Sequence, residues 1–268
     1  MGLGDRIHEY SLRFSWLSTT SRLHAFASHL LLSLTIVGTV FCVVFLVWYP
    51  SPFFSAVGAW SIIRVLIGVD LVLGPIMTLI VFKPAKRLLI VDVIFIAIMQ
   101  LSALIYGTTV LYQERPYYAV FALDRFHVLA AQDIPADSSA RFPWLRKPLT
   151  GPLLASARLP ETIEEQQRLI DETVFGGAPD IEQRPSLWVP YEEDIDVAVS
   201  AAHPLDLLRT SATGAAKLER AIARLDAPES ALGFLPILSA KHDACAIIDL
   251  TSGRLLAVVD IVPWEILR

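Results

Sequence analysis

RVLIGVDLVLGPIMTLIVFKPAKR, residues 64–87, is apolar enough to cross a membrane, yet it holds an arginine, an aspartate and a Gly-Pro pair. Hydrocarbon penalises such charges, so each one needs a partner inside the protein or a route to the interface. Flanking segments repeat the apolar pattern. Residues 25–49 form a nearly unbroken run that ends in Trp48-Tyr49-Pro50, with aromatics at an interface and a proline that stops the helix. A cleaved signal peptide would have an apolar stretch of only about 7–15 residues and a small-residue cleavage site, and neither is present. Further spans are expected at about 59–82 and 88–112, joined by the short basic turn Lys83-Pro84-Ala85-Lys86-Arg87.

Charge then orients the three spans. The leading tail, residues 1–24, holds Arg6, Arg13 and Arg22, and the second loop holds Lys83, Lys86 and Arg87. Residues 50–58 contain no basic residue. The positive-inside rule puts the tail and the basic loop in the cytoplasm, so residues 113–268 are expected outside. In a double-membrane bacterium this is an inner-membrane, multi-pass protein with a periplasmic C-terminal domain.

Depth along the spans pairs some of the polar residues. Asp70 lies twelve residues before Phe82, and Gln100 lies twelve after Leu88, so both sit about 18 Å from the basic turn on antiparallel helices. They are expected to meet. Arg64 lies nearer the outer interface and is expected to snorkel or to reach Tyr106, while Asp92 is about one turn into the third span, near Lys86 and Arg87. Gly74-Pro75 predicts a kink or a close helix approach. Arg64, Asp70, Asp92 and Gln100 are therefore candidate intramembrane contacts, and Lys83, Lys86 and Arg87 are candidate inner-surface contacts. They either satisfy one another and fix helix register or form a socket for a partner helix. Transport is disfavoured, because three spans give too little wall for a pore and no inverted repeat is visible.

The 54% hydrophobic content is concentrated before Tyr112. From Gln113 to Arg268 there are 15 Lys/Arg against 23 Asp/Glu, and this acidic balance disfavours nucleic acid. YYAVFAL, a turn at Asp124-Arg125 and FHVLAA predict a hairpin. A strand is expected at 153–159, and an amphipathic helix in ETIEEQQRLIDETVF, ended by Gly176-Gly177. Helices are expected around 191–202 and 214–225, followed by LGFLPILSA, CAIIDL and LLAVVDIVPW as strands with one buried face. The result is an α+β domain with antiparallel strands.

Nothing in that domain spells catalysis. His127, His203 and His242 are scattered, and His242-Asp243 reads as structural. Glu192-Glu193-Asp194-Ile195-Asp196 lacks the glycine turn and ligand spacing of a calcium loop. Cys42 and Cys245 have no zinc spacing, and no nucleophile elbow, phosphate loop or zinc-protease motif occurs. No cofactor, metal or enzymatic activity is expected.

AFASHLLLSL, FLVWYPSPFF, LIGVDLVLGPIMTLIVFKPAKR and QLSALIYGTTVLYQERPYYAVFALDRFHV together resemble the type IV pilin accessory proteins of the TfpX/TfpZ kind. The resemblance is strong from Ala25 to about Val128 and returns in LPILSAKHDACAIIDLTSGRLLAVVDIVPW. It implies a non-catalytic helper of pilus assembly whose partners are the major type IV pilin and the lipid bilayer. The alternative from the residues themselves is a membrane-anchored periplasmic sensor or small-molecule-binding module, which would need a polar pocket in the C-terminal domain.

Overall fold

A computed structural model describes residues 21–50, 53, 59–83, 88–135, 141–146, 149–240 and 242–267. The first helix, α1 (Arg22–Val43), is capped by Ser21, whose hydroxyl accepts the His24 N–H at 3.3 Å. It continues as a π-helical turn at Val44–Trp48. The second span comprises α2 (Ala59–Leu66), a π-helical stretch at Ile67–Leu73 and α3 (Gly74–Val81). The third is α4 (Leu89–Gln113). Three stretches, Arg22–Trp48, Trp60–Val81 and Leu89–Gln113, are long and apolar enough to cross a membrane. They make this a multi-pass membrane protein.

The chain divides into two compact units, one of residues 1–42 and 60–111, the other of residues 43–59 and 112–268. In the helical unit each span buries one stripe. On α1 the stripe includes Ala25, Ser33 and Val37; on the second span, Ile63, Leu66, Asp70, Gly74 and Thr78; on α4, Leu89, Ile96 and Gly107. The three- and four-residue spacing is that of one helix face. A Cβ at Gly107 would stand 2.7 Å from Leu66 Cδ2, so the glycine admits close helix approach.

The other unit is built on an eight-stranded sheet: β1 (Tyr118–Ala122), β2 (Arg125–Leu129), β3 (Leu153–Ala157), β4 (Trp188–Pro190), β5 (His203–Pro204), β6 (Leu232–Ser239), β7 (Ala244–Asp249) and β8 (Leu255–Val259). Their order is β4-β3-β1-β2-β6-β7-β8, with β5 also paired to β6. The expected antiparallel sheet needs correction, because β1 pairs with β3 and β2 with β6 in parallel. Both pairs are joined by long connections that return the chain to the same end of the sheet. A hairpin turn is a local signal, whereas the end to which a long connection returns is not.

The expectation of one buried face is also corrected. β1, β6 and β7 are buried on both faces along most of their length. One face carries Tyr118, Val120 and Trp188 and, further along, Phe234, Cys245 and Ile247, covered by Leu218 of a helix at Ala212–Ile222. The opposite face carries Phe121 and Phe126, whose rings meet Tyr191 at 6.4 and 5.5 Å. Burial pushes the Tyr191 hydroxyl up to about 12, and that hydroxyl donates to the Gly253 carbonyl at 2.8 Å. The first hairpin turns at Leu123-Asp124, one residue earlier than expected, with Leu123 at φ 61° and Arg125 already in β2. A tight hairpin needs a positive φ there, and no glycine marks it in the sequence.

One ion pair predicts the acid limb of stability. Arg158, just after β3, donates to Asp194 from Nη2 at 2.7 Å and from Nε at 3.0 Å. Burial alone would raise the Asp194 carboxyl, but the bonds from Arg158 and Ser156 outweigh it and hold the group below the ordinary value of 3.8. A depressed carboxyl contributes stability above the unfolded value and loses it as pH falls through the folded one. Thermal melts of the wild type should therefore fall below about pH 4 more steeply than those of Asp194→Asn. Parallel pH profiles for the two proteins would remove this pair from the account.

Candidate functional site

The inner stripes of the helical unit bring four polar side chains together. His29 of α1 lies 2.6 Å from the Thr78 hydroxyl of α3 through Nδ1, and 2.8 Å from Gln100 Oε1 of α4 through Nε2. Gln100 Nε2 donates to the backbone carbonyl of Asp70 at 3.3 Å. The order of donors is forced. A carbonyl only accepts, so the amide nitrogen of Gln100 must face Asp70 and its oxygen must face His29. His29 Nε2 then carries the hydrogen, and in the neutral ring the Thr78 hydroxyl donates to Nδ1. A single chain of hydrogen bonds ties all three spans.

Gly74 and Pro75 explain why Gln100 can do this. Within the π-helical stretch, hydrogen bonds run from residue i to i−5, and the Gly74 N–H accordingly donates to the Val69 carbonyl. The next donor in that ladder would be Pro75, which has no N–H, so the Asp70 carbonyl is left without its helical partner. Gln100 supplies it. Space matters as much as polarity: a Cβ on Gly74 would lie 2.0 Å from Gln100 Nε2. The glycine leaves room for the amide, and the proline leaves an acceptor for it.

The sequence expected Asp70 to meet Gln100, and the two do meet, with the Gln100 amide bonded to the Asp70 main-chain carbonyl at 3.3 Å. Asp70 as a residue is 4% exposed, and among the described residues its carboxyl oxygen Oδ2 has no hydrogen-bond partner. It lines a cavity of about 230 Å³ with His29, Ser33, Val37, Gln100 and Leu104. Arg64 is exposed on α2, and among the described residues no bond joins it to Tyr106, itself exposed. Asp92 is half-buried in the first turn of α4. Lys83 is exposed, while Lys86 and Arg87 lie outside the described residues. Asp70 and Gln100 thus enter the cluster, and Arg64 does not.

His29 and Thr78 were missed by the sequence reading, although a signal existed. Asp70, Gly74 and Thr78 fall at i, i+4 and i+8, on one helix face, and His29 and Ser33 fall at i and i+4 on another. The helices at Arg22–Trp48, Trp60–Val81 and Leu89–Gln113 place these faces together, and the chain continues into the sheet unit.

That arrangement can be compared with known proteins. The family model described as Fimbrial assembly protein FimB matches residues 17–58. The fimbrial assembly protein of serogroup I from Dichelobacter nodosus is 32% identical over 244 residues, 89% of this chain and 94% of that protein. The chain belongs to the fimbrial assembly protein family. The serogroup E1 protein of the same organism is 32% identical over 246 residues, again 89% of this chain and 94% of its own. The protein of serogroups C1 and C2 is 40% identical over 111 residues, 41% of this chain and 85% of that one. No solved structure matches.

The polar groups of the sheet unit form smaller, separate contacts. His127 faces Glu182 at 3.6 Å, and burial holds its ring below the usual value. His203 packs on Phe234 with ring centroids 5.3 Å apart. His242 pairs with Asp260, which also accepts from Lys217 at 2.8 Å, whereas Asp243 takes the Trp264 N–H at 2.7 Å. Within the acidic run, Glu193 and Asp194 both face Arg158. Among the described residues, no three His, Cys, Asp or Glu side chains converge as a metal site would require. The helical unit holds a cluster that draws on all three membrane-length helices.

Proposed function

We propose that the protein is a non-catalytic inner-membrane accessory protein of the TfpX/TfpZ kind. On this reading it assists or modulates assembly of its cognate major type IV pilin into pili. The observation that carries this is the relationship to fimbrial assembly proteins over 89% of the chain, so that both the membrane helices and the sheet unit share it. A pilin waits in the membrane as one apolar helix with a globular domain outside. Helix association in lipid relies on close packing and interhelical hydrogen bonds, and the helical unit offers both. Lys83, Lys86, Arg87 and Asp92 would serve as contacts at the inner surface. Deleting the gene should abolish or sharply reduce surface pili without abolishing pilin synthesis, measured by electron microscopy and immunoblot. Unchanged piliation would sink the proposal.

The orientation is part of this reading. The basic tail and basic turn put the N-terminus in the cytoplasm and the sheet unit in the periplasm. A periplasm-active reporter fused after Arg268 should be active, and one fused after Lys86 silent. The reverse pattern overturns the orientation.

A membrane-anchored sensor is the second reading, favoured by an open cleft of about 530 Å³ lined by His203, Asp206, Glu229 and Ser230. Its acids are already engaged. Arg209 donates to Asp206 at 2.7 Å and lies 2.6 Å from Glu229. The cleft therefore offers a ligand little uncommitted charge, and the assembly reading is preferred.

A further inference from the structure

Asp70 is ten residues from Trp60 and eleven from Val81, the ends of its span, and so about 15 Å from either end along the helix. At that depth every polar group needs a partner within protein, because lipid tails supply none. His29, Thr78, Gln100 and the Asp70 carbonyl satisfy one another. Among the described residues the carboxyl oxygen Oδ2 is left over, buried and without a hydrogen-bond partner, at the wall of the 230 Å³ cavity.

The position of the cavity restricts what can enter. Leu32 and Leu101 also line it, and they are 59% and 57% exposed on the surface of the helical unit. In a bilayer those leucines meet lipid tails, so entry is sideways from hydrocarbon. Lipid headgroup amines stay at the interface, about 15 Å from mid-span. The volume is several times the ~30 Å³ share of one liquid water, which is room for a polar side chain. A donor at that depth, arriving from the side, belongs to another membrane helix.

We infer that the cavity beside Asp70 receives a hydrogen-bond-donor side chain, whether hydroxyl, amide or amine, from the membrane helix of the fimbrial subunit. The identity of that helix rests on the proposed function; the chemistry of the socket rests on the unmatched carboxyl. The socket and the chain of hydrogen bonds are distinct in role. The chain holds the three spans in register, and Oδ2 is the acceptor it leaves for a partner.

The test places a photo-crosslinking amino acid at Leu101, and separately at Leu123, Leu149 and Phe175, exposed positions of the sheet unit. The full-length protein is kept in its own membrane with an epitope-tagged fimbrial subunit, and adducts are normalised to protein level. Leu101 should form an adduct with the subunit. Asp70→Leu should reduce that adduct roughly 3- to 18-fold, which corresponds to the ~0.6–1.7 kcal/mol range of interhelical hydrogen bonds in a membrane bundle. Asp70→Asn, which keeps an acceptor oxygen, should retain most of it. Ala97→Phe fills the cavity wall while leaving every member of the hydrogen-bond chain unsubstituted and should also reduce the adduct, so the test survives if Asp70→Leu lowers expression. Three results overturn the inference: a subunit adduct indifferent to both Asp70→Leu and Ala97→Phe, an adduct from Leu101 only to a second copy of this chain, or adducts from the sheet unit with none from Leu101. This last result leaves the proposed function standing. Absence of subunit adducts from all four positions removes the subunit as partner, and the inference with it.

Discussion

Phe234→Ala should destabilise the sheet unit by about 3–5 kcal/mol, the usual cost of removing a buried phenylalanine. Phe234 is 0% exposed on β6, a strand with neighbours on both edges. Its ring packs in one cluster with Leu205, Leu208, Leu218 and Ile247, and against His203. These residues come from several elements, so no single side chain can swing in to fill the space. Against a typical total of about 5–15 kcal/mol, the loss is a large fraction. Phe175→Ala is the control. Phe175 is 83% exposed, and its truncation should stay within about 0.5 kcal/mol. Denaturant titration of both full-length variants in micelles, followed by near-UV circular dichroism, checks the contrast. A Phe234→Ala effect below about 1 kcal/mol would mean that this cluster is not the core of the unit.

How much of this fold was legible in the sequence depends on the range of each signal. The apolar spans were legible because membrane crossing is a property of about 20 consecutive residues. The helix at Ile163–Val174 was legible from Thr162, whose hydroxyl accepts the Glu165 N–H, and from Gly177 at φ 66° just past its end. Its partners were not. Leu169 is buried, while Ile163, Ile170 and Val174 are exposed, so an amphipathic pattern did not reveal which face packs. Pro236 within β6 is a similar case, since proline argues against a central strand. The register resolves it: residues 233–234 of β6 face β5, residues 237–239 face β2, and Pro236 falls between the two ladders. The two-residue strand at His203–Pro204 and the three-residue strand at Trp188–Pro190 are too short to carry any period.

The site shows the same division. Depth counting brought Asp70 and Gln100 together, because helix rise is fixed and the turn between their spans is short. It could not say which Asp70 atom would be bonded. That choice comes from the π-helical register, which moves the acceptor orphaned by Pro75 from residue 71 to residue 70. His29 was invisible to the same count, because α1 is separated from the other spans by a loop of unknown reach. A single histidine in an apolar run gives no depth match of its own.

That register yields a sharp expectation for Gly74. Glycine inside a helix ordinarily costs about 1 kcal/mol relative to alanine, so Gly74→Ala would be stabilising if space were the same everywhere. Here the new Cβ would stand 2.0 Å from Gln100 Nε2. The amide end of Gln100 is flexible and can swing away, so the steric cost itself is small. What is lost is the bond to the Asp70 carbonyl and the bond to His29, both interhelical. Such bonds average about 0.6 kcal/mol and reach about 1.7 in a membrane bundle, so losing two costs roughly 1–3 kcal/mol. That loss offsets or exceeds the propensity gain. Gln100→Ala removes the same two bonds and the obstacle together. In the Gln100→Ala background, Gly74→Ala should therefore become neutral or stabilising, and the two single changes should be strongly non-additive. Steady-state protein level and resistance to denaturation in micelles, measured for the four members of the cycle, give the result. If Gly74→Ala lowers stability equally in both backgrounds, Gln100 is not what the glycine makes room for, and the account of the Gly-Pro pair fails.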